Sequence, residues 1–329
     1  MAKMALMHAV RAAYNEEMER NPDLIVMGED VVMSLFGDTR GLWETFGSER
    51  VRNTPIAEWA LSSMAVGAAM AGTPVLCHLM FGNFIYNSMD SIANQASRLR
   101  LMTGGQARLP VTFFAAMGAG SSTAAQHSDT PYPILMNLSG INVVVPATPA
   151  DAKGLMKTAL RSDTPTVFLV PRTRGAVTGE VPEGEYLVPF GQAAIHREGG
   201  DVTIVAIGSA VQHALAAAKT LEEQGIEADV IDPRTLVPLD YDSILKSVAK
   251  TGHLIVVDEA RESCSAASQI GAVVAERAFG SLRAPIRRIT TPNIGMPFAP
   301  GLEKAILPNP ERIVAAATAL RGKKVKETV

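Results

Sequence analysis

DVTIVAIGSAVQHALAAAKTLEEQGIEADVID, residues 201–232, is the stretch on which the fold turns. It reads as a strand over 202–207, a helix over 211–224 ended by Gly225, and a second strand over 228–231. The same alternation continues downstream. A helix over 241–249 ends near Gly252, a strand covers 254–257, a helix 266–279 and a strand 286–289. Short apolar runs alternating with helices of this length imply right-handed crossovers and a mainly parallel sheet. In such sheets, sites form beyond the carboxyl ends of the strands.

The alternation also runs upstream. An amphipathic helix occupies the first twenty residues, and an apolar run at 24–27 leads into Gly28-Glu29-Asp30. A helix rich in small residues covers 62–71. A strand at 74–80 ends at Phe81-Gly82-Asn83-Phe84, and 88–101 has helical spacing. Strands are expected at 111–116, 141–145 and 166–170. A helix over 150–162 is announced by Thr148 at the N-cap, Pro149 at its first position and Asp151 in its first turn. Arg172, Arg174, Gly179, Pro182, Gly184 and Gly191 interrupt any longer period, so this stretch reads as a linker. The expected organisation is α/β, with two doubly wound domains: residues 1–175, a linker over 176–200, and residues 201–329. A chain of 329 residues is long enough for two cores.

Composition narrows the functional classes. The chain is 47% hydrophobic and 19% charged, with a formal net charge of -3, as in soluble globular proteins. Without a basic stripe, nucleic-acid binding has no electrostatic support. No apolar run approaches the roughly 18 residues a membrane span needs. The N-terminal stretch is interrupted by Arg11, Glu16 and Glu17, unlike a signal peptide. Cys77 and Cys264 lack metal spacing and are expected to be buried thiols in a reducing, cytoplasmic setting.

Familiar catalytic signatures are missing: no Walker A loop, no GxSxG and no HExxH. Gly118-Ala119-Gly120 lacks the third glycine of a dinucleotide fingerprint. Three features remain. Glu58 stands in Thr54-Pro55-Ile56-Ala57-Glu58, just ahead of the small-residue helix. A carboxyl there either serves the helix dipole or, partly desolvated and protonated, donates to a ring nitrogen. His127 lies on a loop between strands, either catalytic or merely solvated. Phe81 and Phe84 follow a strand and could stack on a planar ligand or simply pack the core.

The ordered motifs together carry a resemblance. They are Gly28-Glu29-Asp30-Val31, Gly41-Leu42-Trp43, Thr54-Pro55-Ile56-Ala57-Glu58, Val66-Gly67-Ala68-Ala69-Met70-Ala71-Gly72, Gly104-Gly105-Gln106, Ala125-Gln126-His127-Ser128, Val145-Pro146, Asp151-Ala152-Lys153-Gly154-Leu155 and Asp232-Pro233-Arg234-Thr235-Leu236. Over nearly its whole length, the chain resembles β subunits of the thiamine-diphosphate-dependent first component of 2-oxo acid dehydrogenase complexes. That family belongs to the transketolase superfamily. Stretches 116–127, 256–260 and 275–280 look most like acetoin dehydrogenase β subunits.

The resemblance implies an N-terminal pyrimidine-binding domain and a transketolase C-terminal-like domain. It implies that Glu58 hydrogen-bonds the aminopyrimidine of thiamine diphosphate. Phe84 would stack on that ring beside Phe81, with Asn87 near its pocket. His127 would stand near substrate, and Glu29 on a proton path between active sites. A monovalent-cation loop found in some members would fall at Ala159, Leu160, Ser162 and Thr164.

The superfamily's Gly-Asp-Gly motif for diphosphate and Mg2+ is missing: Gly37-Asp38-Thr39 lacks the second glycine and is misplaced. The resemblance assigns that motif to an α subunit, so two α and two β chains are expected, with a lipoyl-bearing acyltransferase as the acceptor. The implied reaction is cleavage of acetoin or a 2-oxo acid such as pyruvate. An acyloin-forming carboligase and a non-catalytic scaffold are the alternatives. His78, where the family is often acidic, Trp59, Ser91 and Asp129 depart from the family pattern and leave the substrate open.

Overall fold

Strands of a parallel sheet are covered on both faces, so they need continuous apolar runs rather than alternation. The chain supplies them: Val111–Met117 is buried at every position, and Val75–Phe81 at all but the last. The computed structural model describes residues 1–175 and 177–321. Ala176, the first residue of the expected linker, and 322–329, the tail of the expected C-terminal domain, lie outside the described residues. The chain divides into two compact units: 1–118, 126–190 and 236–238 form one, and 119–125, 191–235 and 239–329 the other.

The first unit is built on a seven-stranded sheet. Its order is Thr235–Val237, Asn142–Val144, Thr166–Pro171, Val111–Met117, Val75–Phe81, Ile25–Gly28, Val51–Asn53. The pairings from Asn142–Val144 to Val51–Asn53 are parallel. Helices Leu6–Arg20 and Pro149–Leu160 cover the sheet, burying Tyr14, Met18 and Met156 with Phe114 and Phe168. Ions tie them together. Arg161 grips the buried Glu17 at 2.6 Å, and Lys157 pairs with Glu16 and Glu185.

Two expectations change here. The amphipathic helix begins at Leu6, because Ala2–Ala5 pairs antiparallel with Thr178–Val181 as a strand. The helical stretch expected at 88–101 is not one helix. It is a 3-10 segment Gly82–Ser88, a π segment Asp90–Ala96 and an α-helix Ser97–Met102. Side-chain bonds accompany the wider turn, within it from Asn94 to Asp90 at 2.8 Å, and from Ser91 to Ser63 of the neighbouring helix at 2.8 Å. Such π insertions gather at functional sites.

The second unit carries the mainly parallel sheet expected after residue 201, with a fifth strand, Ala194–Arg197, in the stretch expected to be a linker. Its order is Arg287–Thr291, Leu254–Arg261, Val202–Ala206, Ala228–Asp232, Ala194–Arg197. The first four strands run parallel; Ala194–Arg197 lies antiparallel at the edge. Asp240 caps helix Tyr241–Thr251 through Ser243 N–H, and Ser265 caps Ala266–Arg277. Helices Pro300–Ile306 and Pro310–Leu320 were not foreseen, although each opens on proline and Asn309 caps the second. Two carboxylates, the buried Glu303 and the half-buried Glu259, hold the loop at 119–122: Glu303 accepts from the N–H groups of Gly120 and Ser122, and Glu259 from Ala119.

Cys77 is a buried thiol as expected, its pKa pushed up by burial, but Cys264 is exposed. It sits with φ 54° in the turn between Leu254–Arg261 and Ala266–Arg277, where the chain reverses at the surface. Among the described residues no helix is long and apolar enough to cross a membrane.

Candidate active site

Glu29, Glu58, Phe81, Phe84, Asn87 and His127 lie in the first unit, at or beyond the carboxyl ends of its parallel strands, whereas the expected cation loop at 159–164 precedes strand Thr166–Pro171. Glu29 follows Ile25–Gly28. Glu58 opens helix Glu58–Met70 just after Val51–Asn53. Phe81 ends Val75–Phe81, and Phe84 and Asn87 lie in the 3-10 turn that follows. His127 follows Val111–Met117.

Glu58 is half-buried at a helix start, where the first backbone N–H groups have no intrahelical partner. Its Oε2 accepts a hydrogen bond from Asn87 Nδ2 at 3.3 Å. Its backbone carbonyl accepts from Ser62 Oγ at 2.7 Å and Ser88 Oγ at 3.1 Å. The helix-dipole reading and the site reading therefore describe the same residue. Glu29 joins Glu58 in lining a small pocket with Pro55, Ile56, His78 and Met80. Burial raises the Glu29 carboxyl above its ordinary value, and the charges of Asp30 and Glu58 push it the same way.

Phe81, Phe84 and His127 form a cluster of three half-buried rings. Their centroids lie 5.6 Å apart for Phe81 and Phe84, 4.8 Å for Phe81 and His127, and 5.4 Å for Phe84 and His127, all edge to face. The Arg172 guanidinium stands 5.6 Å over the Phe81 ring, and Phe36 meets Phe81 edge-on at 5.2 Å. Asn83 and Asp129 brace the turn: Asp129 N–H donates to Asn83 Oδ1 at 3.0 Å, and Asn83 Nδ2 to Asp129 Oδ2 at 3.2 Å.

The donor set suits a flat heteroaromatic ring. It has a carboxyl oriented at a helix start, aromatic rings that can pack on a π face, and an imidazole close by. Asp38, considered earlier only as part of an incomplete diphosphate motif, is 1% exposed and faces His78, its Oδ2 3.2 Å from Nε2. Sequence reading missed this pair, and Arg172 and Asn83 as well. The available signal was a titratable His78 inside the apolar run Val75–Phe81.

The expected cation loop is held by its own hydrogen bonds. Ala159 O accepts from Ser162 N at 3.1 Å, and Thr164 O accepts from Ser162 Oγ at 3.0 Å.

Comparison with known proteins supplies the family. Residues 2–176 match the transketolase pyrimidine-binding domain and 191–313 the transketolase C-terminal domain. The chain thus belongs to the transketolase-like family of dehydrogenase β subunits. It is 42% identical over 327 residues to the acetoin:2,6-dichlorophenolindophenol oxidoreductase β subunit of Cupriavidus necator, covering 96% of each chain. It is 38% identical over 320 residues to the 2-oxoisovalerate dehydrogenase β subunit of Bacillus subtilis, covering 96% of this chain and 98% of the other. Among solved structures, a split-gene transketolase described as an inactive β4 tetramer superposes with a TM-score of 0.80 at 25% identity. That match covers 98% of this chain and 99% of the other.

Proposed function

We propose that this chain is the β subunit of a cytoplasmic thiamine-diphosphate-dependent dehydrogenase. It cleaves acetoin or a 2-oxo acid such as pyruvate, and its acyl product passes to a lipoyl-bearing acyltransferase. The observation that carries the reading is Glu58, oriented by Asn87 at a helix start beside the Phe81–Phe84–His127 rings. The names of the full-length relatives favour a dehydrogenase over a carboligase or a scaffold.

The residues present fit the pyrimidine half of the cofactor. Thiamine diphosphate, when bound, supplies the nucleophilic carbon and the electron sink for cleaving the bond beside the substrate carbonyl. The chain's own groups orient and protonate. Glu58 holds a proton toward a pyrimidine nitrogen, and Asn87 keeps that carboxyl aimed. Phe84, with Phe81 behind it, excludes water from the ring face. His127 serves as hydrogen-bond donor to substrate oxygen. Glu29, with its raised pKa, is suited to hold a proton next to Glu58.

The diphosphate and Mg2+ fall to an α subunit carrying Gly-Asp-Gly, in an assembly of two α and two β chains. Two observations support this division: Asp38 is buried against His78, and the similar solved chain is described as inactive when it is a β4 tetramer. The test is Glu58→Ala in the reconstituted α–β complex, assayed with acetoin, pyruvate and branched 2-oxo acids. Turnover is expected to fall by about 10²–10⁴-fold. Unchanged turnover overturns the catalytic reading.

A further inference from the structure

Strand Val75–Phe81 carries an irregularity at its end. His78 pairs with Phe114 and Phe81 with Ala116, so three steps on one strand span two on its neighbour. The extra residue is a β-bulge, and Met80 within it has φ 60°. One residue more or less in a strand moves every following side chain to the opposite face. The bulge therefore decides which way Phe81 points.

A bulge takes a backbone N–H out of the ladder, and that group needs another partner. Here Met80 N–H donates to His78 Nδ1 at 3.3 Å. A ring nitrogen that accepts carries no proton, so the proton of the neutral imidazole is on Nε2. Nε2 faces Asp38 Oδ2 at 3.2 Å, and a carboxylate is the partner that keeps a proton there. Both residues are buried, at 3% and 1% exposure. Phe36, from the same loop as Asp38, stacks on the His78 ring at 6.1 Å and meets Phe81 edge-on.

We propose that Asp38 and His78 are positioning residues for the cofactor's ring. Asp38 sets the imidazole tautomer, His78 Nδ1 holds the bulge, and the bulge aims Phe81 into the ring cluster with Phe84 and His127. This rests on the function proposed above. It does not require either residue to touch cofactor or substrate.

The test uses the assembled α–β enzyme and separates the two faces of the imidazole. His78→Gln keeps a donor toward Asp38 but offers no acceptor at the Nδ1 position. Asp38→Asn combined with His78→Asn keeps an acceptor near Nδ1 and leaves no unpaired carboxylate. The half-saturating thiamine diphosphate concentration is expected to rise at least about tenfold in His78→Gln and to stay within about threefold in the double amide variant, differences of roughly 1.4 and under 0.7 kcal/mol in binding. If burial of a polar pair were all that mattered, His78→Gln would bind cofactor like the native enzyme, and that result overturns the proposal. Equal impairment of both variants at unchanged melting temperature overturns it too. Should His78→Gln fail to fold, Asp38→Leu with His78→Phe takes its place. That apolar pair lacks the acceptor and is expected to bind cofactor as weakly; native-like binding would refute the role. Glu58→Ala is run alongside. Full turnover in that variant overturns the parent function, whereas loss there with a native-like His78→Gln overturns only the positioning role.

Discussion

Two carboxyls, Glu29 and Glu58, share one small pocket, and their environments differ. Glu58 has the helix start and Asn87 to support it. Glu29 has burial and like charge against it, and its pKa is raised. The sign of the linkage follows. A carboxyl whose folded pKa exceeds its unfolded value binds its proton more tightly in the native state, so it favours folding at low pH. That contribution is lost as pH rises through the unfolded and then the folded pKa. At pH 7 the raised pKa of Glu29 is thus a liability to stability. Glu29→Gln is expected to raise the melting temperature at pH 7, with the difference from the native chain shrinking as pH falls through about 4.5, the ordinary carboxyl range. A scan of melting temperature against pH checks this, and an increment that grows toward acid pH would contradict it.

At the scale of elements, the site depends on how closely strands meet at their carboxyl ends. A Cβ on Gly28 would lie 2.5 Å from the His78 carbonyl oxygen and 2.8 Å from its Cβ. Ile25–Gly28 and Val75–Phe81 therefore approach each other at this point only because Gly28 has no side chain. The Gly28 carbonyl also accepts from Thr54 N–H at 3.0 Å, which anchors the segment leading to Glu58. Gly28→Ala must push two backbones apart, at a cost of about 2–3 kcal/mol by analogy with overpacked cores. For a unit of this size that corresponds to a fall of roughly 4–12 °C in its melting transition. Calorimetry on the full chain would reveal it; an unchanged transition would mean that the strands separate freely. Sequence periodicity located these strands well because burial on both faces leaves long apolar runs. It did not show the bulge at Met80 or the π segment at Asp90–Ala96, since both are local departures that leave the apolar pattern unchanged.

For the whole molecule, the division of labour is testable. The described ring cluster and both carboxyls belong to the first unit, and Asp38, which sits in the nearest approach to a diphosphate motif, is buried against His78. Calorimetric titration of the isolated chain with thiamine diphosphate and Mg2+ is therefore expected to give binding at least about 100-fold weaker than in the α–β complex, a deficit of roughly 2.7 kcal/mol. Equal affinity with and without the partner would show that this chain holds the diphosphate itself.

Residue type and order were enough to establish the two α/β units and the family, and to propose Glu29, Glu58, Phe81, Phe84 and His127 as site residues. Each is announced locally, by a strand end, a helix start or a motif. Glu58 was ambiguous as an isolated carboxyl, and the motifs around it supplied its meaning. Only the tertiary structure showed that Asn87 aims Glu58, that Asp38 faces His78 across 40 positions of sequence, and that Cys264 is exposed. The physical reason is range. Strand and helix propensities act over a few residues and can be read from them. A hydrogen bond between buried side chains depends on which strands become neighbours and on the residue where one of them bulges.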